Sequence, residues 1–390
     1  MIFVWPWNAV LKSKGARDYA SYHYAVQTVW EGGNPYQTEN LHRKAREEHT
    51  RRTVHPFFYP PPSLISMLWF SPFSLLMGYR IFFWFNQLLL FTSFWQINKW
   101  LKTPVWFLAF LALVFTPLAD SMKMGQLNIW ILCLLSIGLA RNAGVIIGYA
   151  AMSKMSPALI FFQWIAQRNW RPALYCAISV PVFSVLALPL VGLEAQKQFY
   201  FEILPQFSSG EYHGLRIPIN LPANHSIPDL FNQVWPAESS HSLSKTAKGF
   251  ASITNILLLG TLLWLSARWR NEESKQYLQG AMICLFLIIP VYCYEHHLSL
   301  MVIPIVLVFR FVSKENRSVK ICFGVSLFFI SWPLFMLRTV QKWLPSLDWL
   351  LQESKFFAII SFAVLCIIGA YTSQRKEREA ARSSCSDGVK

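Results

Sequence analysis

Long apolar runs recur along the whole chain, and they restrict its possible folds more than any other feature. Eleven runs approach or exceed the ~18 residues that signal a membrane-spanning helix. Hydrophobic residues make up 54% of the chain and charged residues 14%, whereas a typical soluble domain is about a quarter charged. We therefore predict an all-α, polytopic integral membrane protein with about 11 transmembrane helices and loops at its outer face. The predicted spans are Pro60–Met77, Ile81–Ile97, Pro104–Ala119, Gly125–Ala140, Gly144–Ala166, Pro172–Gly192, Phe250–Ala267, Gln279–Tyr294, Leu298–Phe311, Ile321–Leu337 and Phe356–Tyr371.

The distribution of charge predicts how the chain is oriented in the membrane. The net charge is +15, and 13 of the Lys and Arg residues lie within 41 residues of short loops and C-terminal tail. These stretches are Gln167–Arg171, Ser266–Lys275, Val312–Lys320 and Gln374–Lys390. By the positive-inside rule they are cytoplasmic, and the long loop Leu193–Lys248, which holds four such residues, faces outward. Topology accounts for most of the excess of positive charge, so we expect no nucleic-acid partner.

The sequence contains no pattern that is typical of a metal or cofactor site. Its seven cysteines show neither a CxxC pair nor metal-ligand spacing. The carboxylates form no cluster suited to Mg²⁺ or Mn²⁺. We therefore expect no metal and no cofactor.

The runs and loops divide the chain into five segments. They are an N-terminal outer-face segment with a candidate catalytic loop (1–59), the first part of the transmembrane bundle (60–192), an outer-face loop (193–248), the second part of the bundle (249–373) and a basic cytoplasmic tail (374–390). Met1–Leu11 is too short to span a membrane and lacks the layout of a signal peptide. Two interpretations stay open: Met1–Leu11 is the remnant of a first helix lost upstream, or the span count is off by one.

The segment from Asp18 to Pro62 is polar, aromatic and marked by prolines. Aromatic and aliphatic residues recur at helical spacing after Asp18, and they predict a helix that Gly32-Gly33 ends. Asn34-Pro35-Tyr36 predicts a turn, because proline disfavours the helical conformation in the residue before it. Tyr59-Pro60-Pro61-Pro62 predicts an extended entry into the first span. Such a segment at the head of a series of spans favours an enzyme that acts on a lipid-borne substrate.

The outer-face loop contains a stretch rich in Pro, Asn, His and Ser, Phe207–Gln233, in which no period is clear. We predict an ordered surface loop that holds a polar ligand above the bundle. Asn224-His225-Ser226 within it also fits simple turn formation.

Two charged residues are the first candidates for chemistry. Asp18 stands at the start of the predicted N-terminal helix, where a carboxylate can act as a general base for a sugar hydroxyl or cap the helix. Lys154 is flanked by apolar sequence, and Pro157 predicts a kink beside it. A charge inside a span indicates function by default, and snorkelling to an interface is the alternative.

Several further residues allow both a functional and a structural interpretation. His296 and His297 follow one another at the outer end of a span, where a single imidazole can bind a phosphate or be an ordinary interfacial residue. Gln126 and Asn128 open a span with two amides, which usually join helices. Five basic residues run against the positive-inside rule, and they either attract an anionic headgroup or contradict the assigned orientation. They are Arg43, Lys44, Arg46, Arg51 and Arg52.

Taken together and in order, these pieces resemble a known family over the chain from Asp18 to Phe311. The motifs are Asp18-Tyr19, Gly33-Asn34-Pro35-Tyr36, Tyr59-Pro60-Pro61, Gly125-Gln126-Leu127-Asn128, Lys154-Met155-Ser156-Pro157, Asn224-His225-Ser226 and Glu295-His296-His297. The pattern resembles glycosyltransferase family 87, which belongs to the GT-C superfamily of integral membrane glycosyltransferases. The chain departs from the family pattern at two points. The transmembrane helix expected just before Asp18 is missing apart from Met1–Leu11. The spacing of Lys154 and Pro157 fits, but Met155 and Ser156 between them are not part of the match.

The resemblance implies a GT-C-type helical bundle in the cell membrane with its site at the outward face. It implies a polyprenyl-phosphate sugar donor, with mannose as the sugar in the best-known members, and a glycolipid or glycan acceptor. By the same resemblance Asp18 is the general base of an inverting transfer, with Lys154 and a histidine at the departing phosphate. We therefore predict Asp18, His296 and His297 as catalytic residues, and Lys154, Tyr36, Tyr59, Gln126, Asn128 and Asn224 as substrate-binding residues.

Two other functions remain open from the sequence. A transporter or flippase for a lipid-linked sugar needs ionisable residues at several depths of the membrane. Here Lys154 is the one clear intramembrane charge and the other candidates cluster at the outer face, which favours surface chemistry. An assembly scaffold would leave Lys154 and the ordered outer loops unexplained.

Overall fold

The computed structural model describes residues 10, 17–50, 53–208, 210, 217–333, 339–340 and 342–387, without the side chains of Arg17 and of residues 382–387. Every regular element in these residues is a helix, as predicted. Arg51, Arg52 and all of Met1–Leu11 except Val10 lie outside the described residues.

In chain order the helices are α1 (Arg17–Trp30), α2 (Thr38–Glu47), α3 (Ser63–Met67), α4 (Leu75–Leu101), α5 (Val105–Val114), α6 (Thr116–Met124), α7 (Asn128–Ala140), α8 (Gly144–Ser153), α9 (Leu159–Ala166), α10 (Trp170–Lys197), α11 (Leu204–Gln206), α12 (Ile227–Val234), α13 (Lys245–Arg268), α14 (Glu272–Ile288), α15 (Val302–Val312), α16 (Arg317–Ser331), α17 (Asp348–Gln352) and α18 (Ser354–Asp387). The 3₁₀ turns are Leu68–Phe70, Ser156–Ala158, Glu295–Met301 and Pro345–Leu347, and the π-helical stretch Gln198–Ile203 joins α10 to α11.

Five helical stretches in the described part of the chain are long and apolar enough to cross a membrane. They are Leu75–Leu101, Trp170–Gln206, Lys245–Arg268, Glu295–Val312 and Ser354–Ala381. The helices α5 and α6, which meet at an angle of 58°, make a sixth candidate if they are one broken span. These lengths and compositions indicate a membrane protein, and the six stretches correspond to six of the eleven predicted spans.

The other five predicted spans are shorter or interrupted in the structure, so a count of eleven is not confirmed. Three of them are short helices in the structure: Gly125–Ala140 corresponds to α7 with 13 residues, Gln279–Tyr294 to α14 with 17, and Ile321–Leu337 to α16 with 15. The last four residues of Ile321–Leu337 lie outside the described residues. Gly144–Ala166 is divided between α8 and α9 by a break at Lys154.

The predicted first span, Pro60–Met77, is wrong as a continuous helix. The structure has the five-residue α3 and a 3₁₀ turn there, and α4 begins only at Leu75. Pro72 lacks the backbone N–H that would bond to the carbonyl of Leu68, so the helix ends before it. The three prolines Pro60–Pro62 do not run extended either, because their carbonyls accept bonds from the N–H groups three residues on, at 2.9–3.2 Å. Proline's φ suits the first turn of a helix as well as an extended chain.

Most of the predicted local features of the N-terminal segment are confirmed. The helix α1 ends at Trp30, and Gly32 follows it with a φ of 75°, which glycine adopts without steric cost. Asn34 makes the predicted turn, in which its side-chain Oδ1 accepts from the backbone N–H of Tyr36 at 2.9 Å. The predicted span end at Gly192 is also seen, because Gly192 interrupts α10 with a φ of 76°.

The outer loop is less irregular than its sequence indicated. It contains α12, which begins after Ser226, whose side chain accepts from the backbone N–H of Asp229 at 3.1 Å. Asn224, His225 and Ser226 are fully buried, so this part of the loop packs inside the protein and is not a surface feature. A serine N-cap followed by proline in the first turn and aspartate at the third position is a helix-start signal that could have been read from the sequence.

The helices α8 and α10 pack closely, and two glycines of α8 make this possible. A Cβ atom on Gly144 would lie 2.0 Å from the backbone oxygen of Pro172, and one on Gly148 would lie 1.7 Å from Oγ of Ser179. Neither position can accept a larger residue without movement of α10.

We expect Gly144→Ala to lower the thermal unfolding midpoint of the purified protein, since the added methyl group meets backbone atoms of α10. Overpacking of this kind costs about 1–3 kcal/mol. The matched control is Gly260→Ala in α13, where no described heavy atom lies within 4 Å of the added Cβ. Equal midpoints for the two variants would contradict the close approach of α8 and α10.

Candidate active site

A cavity of about 1570 Å³ opens between the N-terminal segment, α6, the break after α8, α13 and the turn Glu295–Met301. Six of the nine predicted site residues line it: Asp18, Tyr59, Gln126, Lys154, His296 and His297. The other three, Tyr36, Asn128 and Asn224, are fully buried behind its wall. The structure therefore brings together residues that are separated by up to 279 positions in the sequence.

Asp18 lies in the first turn of α1, where a glutamine side chain orients its carboxylate. Nε2 of Gln126 donates to Oδ2 of Asp18 at 2.7 Å. Oε1 of the same amide accepts from the hydroxyl groups of Tyr22 at 3.1 Å and Tyr59 at 3.2 Å. The two phenols fix which end of the amide faces the carboxylate. Burial, and after it the negative charge of Asp18, raise the pKa of Tyr59, so this hydroxyl stays protonated and remains a donor.

Lys154 occupies the break between α8 and the following 3₁₀ turn. Its backbone is extended, with φ −157° and ψ 117°. Pro157 has no N–H to bond to the carbonyl of Ser153, so α8 cannot continue past this point. The ammonium group of Lys154 donates to Oδ1 of Asn128 at 2.5 Å and lines the cavity. The predicted kink is confirmed.

Asn128 joins the lysine to the turn that carries the two histidines. Its Nδ2 donates to the backbone oxygen of His296 at 2.9 Å, while its Oδ1 accepts from Lys154. The hydroxyl of Ser299 also donates to the His296 oxygen, at 2.9 Å. A single buried amide thus fixes the position of the cation relative to the imidazoles.

His296 and His297 lie in the 3₁₀ turn Glu295–Met301, with ring centroids 4.4 Å apart and nearly perpendicular planes. Nδ1 of His297 accepts from the backbone N–H of Tyr294 at 3.2 Å. The neutral ring therefore carries its proton on Nε2, and the ring also has a hydrogen bond with the backbone of Tyr292. Among the described residues, no group of three or more His, Cys, Asp or Glu side chains could hold a metal ion.

Tyr36 and Asn224 have contacts that are structural. The hydroxyl of Tyr36 donates to the backbone oxygen of Tyr59 at 2.7 Å, which fixes the chain just before the three prolines. Nδ2 of Asn224 donates to the backbone oxygen of Val291 at 2.9 Å, and its Oδ1 accepts from the N–H of Cys293 at 2.8 Å. Both side chains hold backbone that leads into the cavity wall.

A buried ion pair lies beside the histidines, and the sequence motifs do not indicate it. Oε1 of Glu295 lies 2.9 Å from Nε2 of His225, and its Oε2 accepts from the ammonium group of Lys355. Side-chain exposure is 0% for His225, 1% for Lys355 and 9% for Glu295. The outer loop, the histidine turn and the start of α18 meet at this point. Pairing across 60 and 70 positions has no local signal in the sequence.

A second unassigned carboxylate, Asp120, lines the same cavity from α6. It is partly buried, and α6 packs against the turn Glu295–Met301. A signal for it was present in the sequence: Asp120 is one of five aspartates, and it falls between two predicted spans.

The basic residues of α2 form ion pairs with nearby glutamates. Arg43 lies 2.7 Å from Glu47 and 3.4 Å from Glu31, Lys44 pairs with Glu31, and Arg46 with Glu39. Since these charges are balanced locally, they give no evidence against the assigned orientation. Arg51 and Arg52 lie outside the described residues.

Two further buried carboxylates, on α12 and just before α18, share one glutamine. Nε2 of Gln233 donates to Asp229 at 3.0 Å and to Glu353 at 2.7 Å. Burial, and after it the charge of Glu353, raise the pKa of Asp229 to about 8, and burial raises the pKa of Glu353. This pair connects the outer loop to the start of α18.

We expect Glu295→Gln to lower the free energy of unfolding by about 3 kcal/mol, because it leaves the buried Lys355 ammonium without a counter-charge. The matched control is Glu272→Gln, which breaks an exposed ion pair with Lys275 and costs less than about 1 kcal/mol. The measurement is unfolding of both variants in the same detergent. Equal losses would contradict a stabilising role for the buried pair.

We expect the stability of the protein to fall as pH rises from about 4 toward 8. An unfolded Asp titrates near pH 3.9, whereas the folded Asp229 keeps its proton to about pH 8. The folded state therefore binds more protons in this interval, and the free energy of unfolding declines with pH. Asp229→Asn removes this decline, and the exposed control Asp348→Asn keeps it. The measurement is the thermal unfolding midpoint of both variants between pH 5 and pH 8.5. If the midpoint changes with pH by the same amount in both variants, Asp229 is not the cause of the decline.

Comparison with known families assigns the chain to one of them. The model of glycosyltransferase family 87 matches residues 57–290, more than half of the chain, and no curated protein sequence gives a match. The matched stretch includes Tyr59, Gln126, Asn128, Lys154 and Asn224, while Asp18, Tyr36, His296 and His297 lie outside it. The resemblance inferred from the motifs is confirmed. The chain belongs to glycosyltransferase family 87, and it is an enzyme that transfers a sugar.

Proposed function

We propose that this glycosyltransferase moves a hexose, mannose in the first instance, from a polyprenyl-phosphate carrier to a hydroxyl group of a glycolipid or glycan. The reaction takes place at the outward face of the cell membrane and inverts the anomeric centre. The observation that best supports this proposal is that a carboxylate, an ammonium group and two imidazoles line one cavity with a largely apolar wall.

In the proposed reaction Asp18 is the general base. Its carboxylate removes the proton of the acceptor hydroxyl, and the oxygen attacks the anomeric carbon in line. The bond between that carbon and the phosphate oxygen breaks, and its electron pair leaves with the polyprenyl phosphate. Gln126 supports the role of Asp18, because a donor on one carboxylate oxygen holds the group in a fixed orientation.

The departing phosphate carries negative charge, and the cavity has groups that can offset it. We assign Lys154 to this phosphate, together with the N–H groups of His296 and His297. A cation held by Asn128 needs little reorganisation when charge develops, and positioned donors of this kind contribute about 3–4 kcal/mol to a transition state.

The carrier chain would lie along the apolar part of the cavity. Leu113, Leu159, Phe286, Leu287, Ile289 and Leu300 are among the residues that line it. Such a surface suits an isoprenoid and offers a nucleotide few polar partners. Tyr36, Asn128 and Asn224 then have an indirect role, because they position the backbone and the side chains that contact the substrates.

The distribution of Lys and Arg residues along the chain supports the outward orientation of the site. The short loops and the C-terminal tail hold 13 of the 35 Lys and Arg residues within 41 residues. The transporter interpretation is not favoured, because the chain belongs to a family of glycosyltransferases.

We expect Asp18→Asn to lower transfer by a factor of roughly 10²–10⁴, since the amide cannot accept a proton. Donor binding should stay close to the wild-type value, because the variant keeps the shape of the side chain and an oxygen that can accept from Gln126. The assay uses purified protein in lipid with radiolabelled polyprenyl-phosphate sugars. Asp348→Asn, on the exposed helix α17, is the control. Transfer that is indifferent to Asp18 would overturn the mechanism.

A further inference from the structure

The carboxylates that line the cavity differ in what they already contact. Asp18 accepts from Gln126, and both oxygens of Glu295 are taken by His225 and Lys355. Asp120 has no hydrogen bond or ion pair with any residue in the described part of the chain. It is therefore the cavity carboxylate with the greatest remaining capacity to accept hydrogen bonds from a ligand.

At the position of Asp120 it is costly to leave the carboxylate oxygens without hydrogen-bond donors. The side chain is partly buried in α6, on the wall of a cavity between apolar helices. The charges that act on it are those of Glu295, Lys355 and Lys123, of which the first two already pair with each other. A carboxylate in such surroundings gains when donors from a ligand replace lost water.

The chemistry of the group limits which ligand it can take. An ionised carboxylate accepts hydrogen bonds and repels a phosphate, so the anionic part of a donor is better placed at Lys154. Adjacent hydroxyl groups of a hexose are neutral donors that suit two carboxylate oxygens. The rings of Tyr292 and Tyr294, which stack at 5.5 Å, line the same cavity and offer an apolar face to a sugar.

We propose that Asp120 is a hexose-binding residue whose carboxylate accepts hydrogen bonds from sugar hydroxyl groups. This inference rests on the proposed function for its place in the reaction, where it would orient a sugar relative to Asp18. The hydroxyl groups can belong to the acceptor or to the transferred hexose of the donor.

The test measures binding and needs no turnover. Three probes are titrated into wild type and Asp120→Asn in lipid: octyl mannoside, polyprenyl-phosphate mannose and polyprenyl phosphate without a sugar. We expect Asp120→Asn to weaken at least one of the two hexose-bearing probes by about tenfold or more, since hydrogen bonds to a charged group are lost. The affinity for the sugar-free carrier should stay within about twofold of wild type.

The pattern of losses identifies the source of the hydroxyl groups. Loss confined to octyl mannoside assigns Asp120 to the acceptor, and loss confined to polyprenyl-phosphate mannose assigns it to the transferred sugar. Asp120→Glu, which keeps the charge, should retain more affinity than Asp120→Asn, and Asp348→Asn should bind all probes as wild type does. Thermal unfolding of each variant shows whether it is folded.

Three results would overturn the inference: no loss for either hexose-bearing probe, an equal loss for the sugar-free carrier, or wild-type protein that binds neither hexose-bearing probe. Failure of the proposed function gives a different result. In that case no sugar is transferred, while the binding of at least one of the two hexose-bearing probes still responds to Asp120.

Discussion

Two amide side chains at the start of α7, Gln126 and Asn128, hold the candidate site together. Gln126 reaches Asp18 of α1, and Asn128 reaches both Lys154 at the helix break and the backbone of the histidine turn. In an apolar bundle a buried polar group without a partner costs several kcal/mol. The hydrogen bonds that satisfy these two amides also fix the distances between the carboxylate, the ammonium group and the imidazoles. The site is therefore assembled by the same contacts that stabilise the fold.

Beside this centre, several buried ionisable side chains are held by partners from distant parts of the chain. The carboxylate of Glu295 takes His225 from the outer loop and Lys355 from α18, and Gln233 links Asp229 to Glu353. Breaking the pair between Glu295 and Lys355 leaves an uncompensated buried charge. These contacts connect the outer loop and α18 to the histidine turn, and they leave Asp18, Lys154 and Asp120 facing the cavity.

The features that could be predicted from the sequence are those with a local cause. Gly32 ends a helix because it adopts a positive φ, and Pro157 interrupts one because it lacks an N–H. The same rule applied to Pro72 would have shown that Pro60–Met77 is not one helix, since hydropathy alone does not register a missing donor. The two interpretations of Gln126 prove compatible, because its amide joins helices and also faces the cavity.

What could not be predicted depends on contacts between distant parts of the chain. Nothing near Glu295 indicates that Lys355 is its partner, and Asn224 shows no sign in the sequence that its amide is fully buried. Asp120 was visible as a charge between two spans, but only the fold places it in the same cavity as Asp18. Sequence motifs thus identified six residues that line the cavity, but they did not show what each of them contacts.

In the proposed reaction a phosphosugar binds between Lys154 and Asp18. The most direct test is a structure of the protein in lipid with a non-transferable phosphonate analogue of polyprenyl-phosphate mannose. We predict that a phosphonate oxygen lies about 3 Å from the ammonium nitrogen of Lys154, with the anomeric carbon turned toward the Asp18 carboxylate. An analogue bound away from Lys154, or with its sugar turned away from Asp18, would contradict the proposed mechanism.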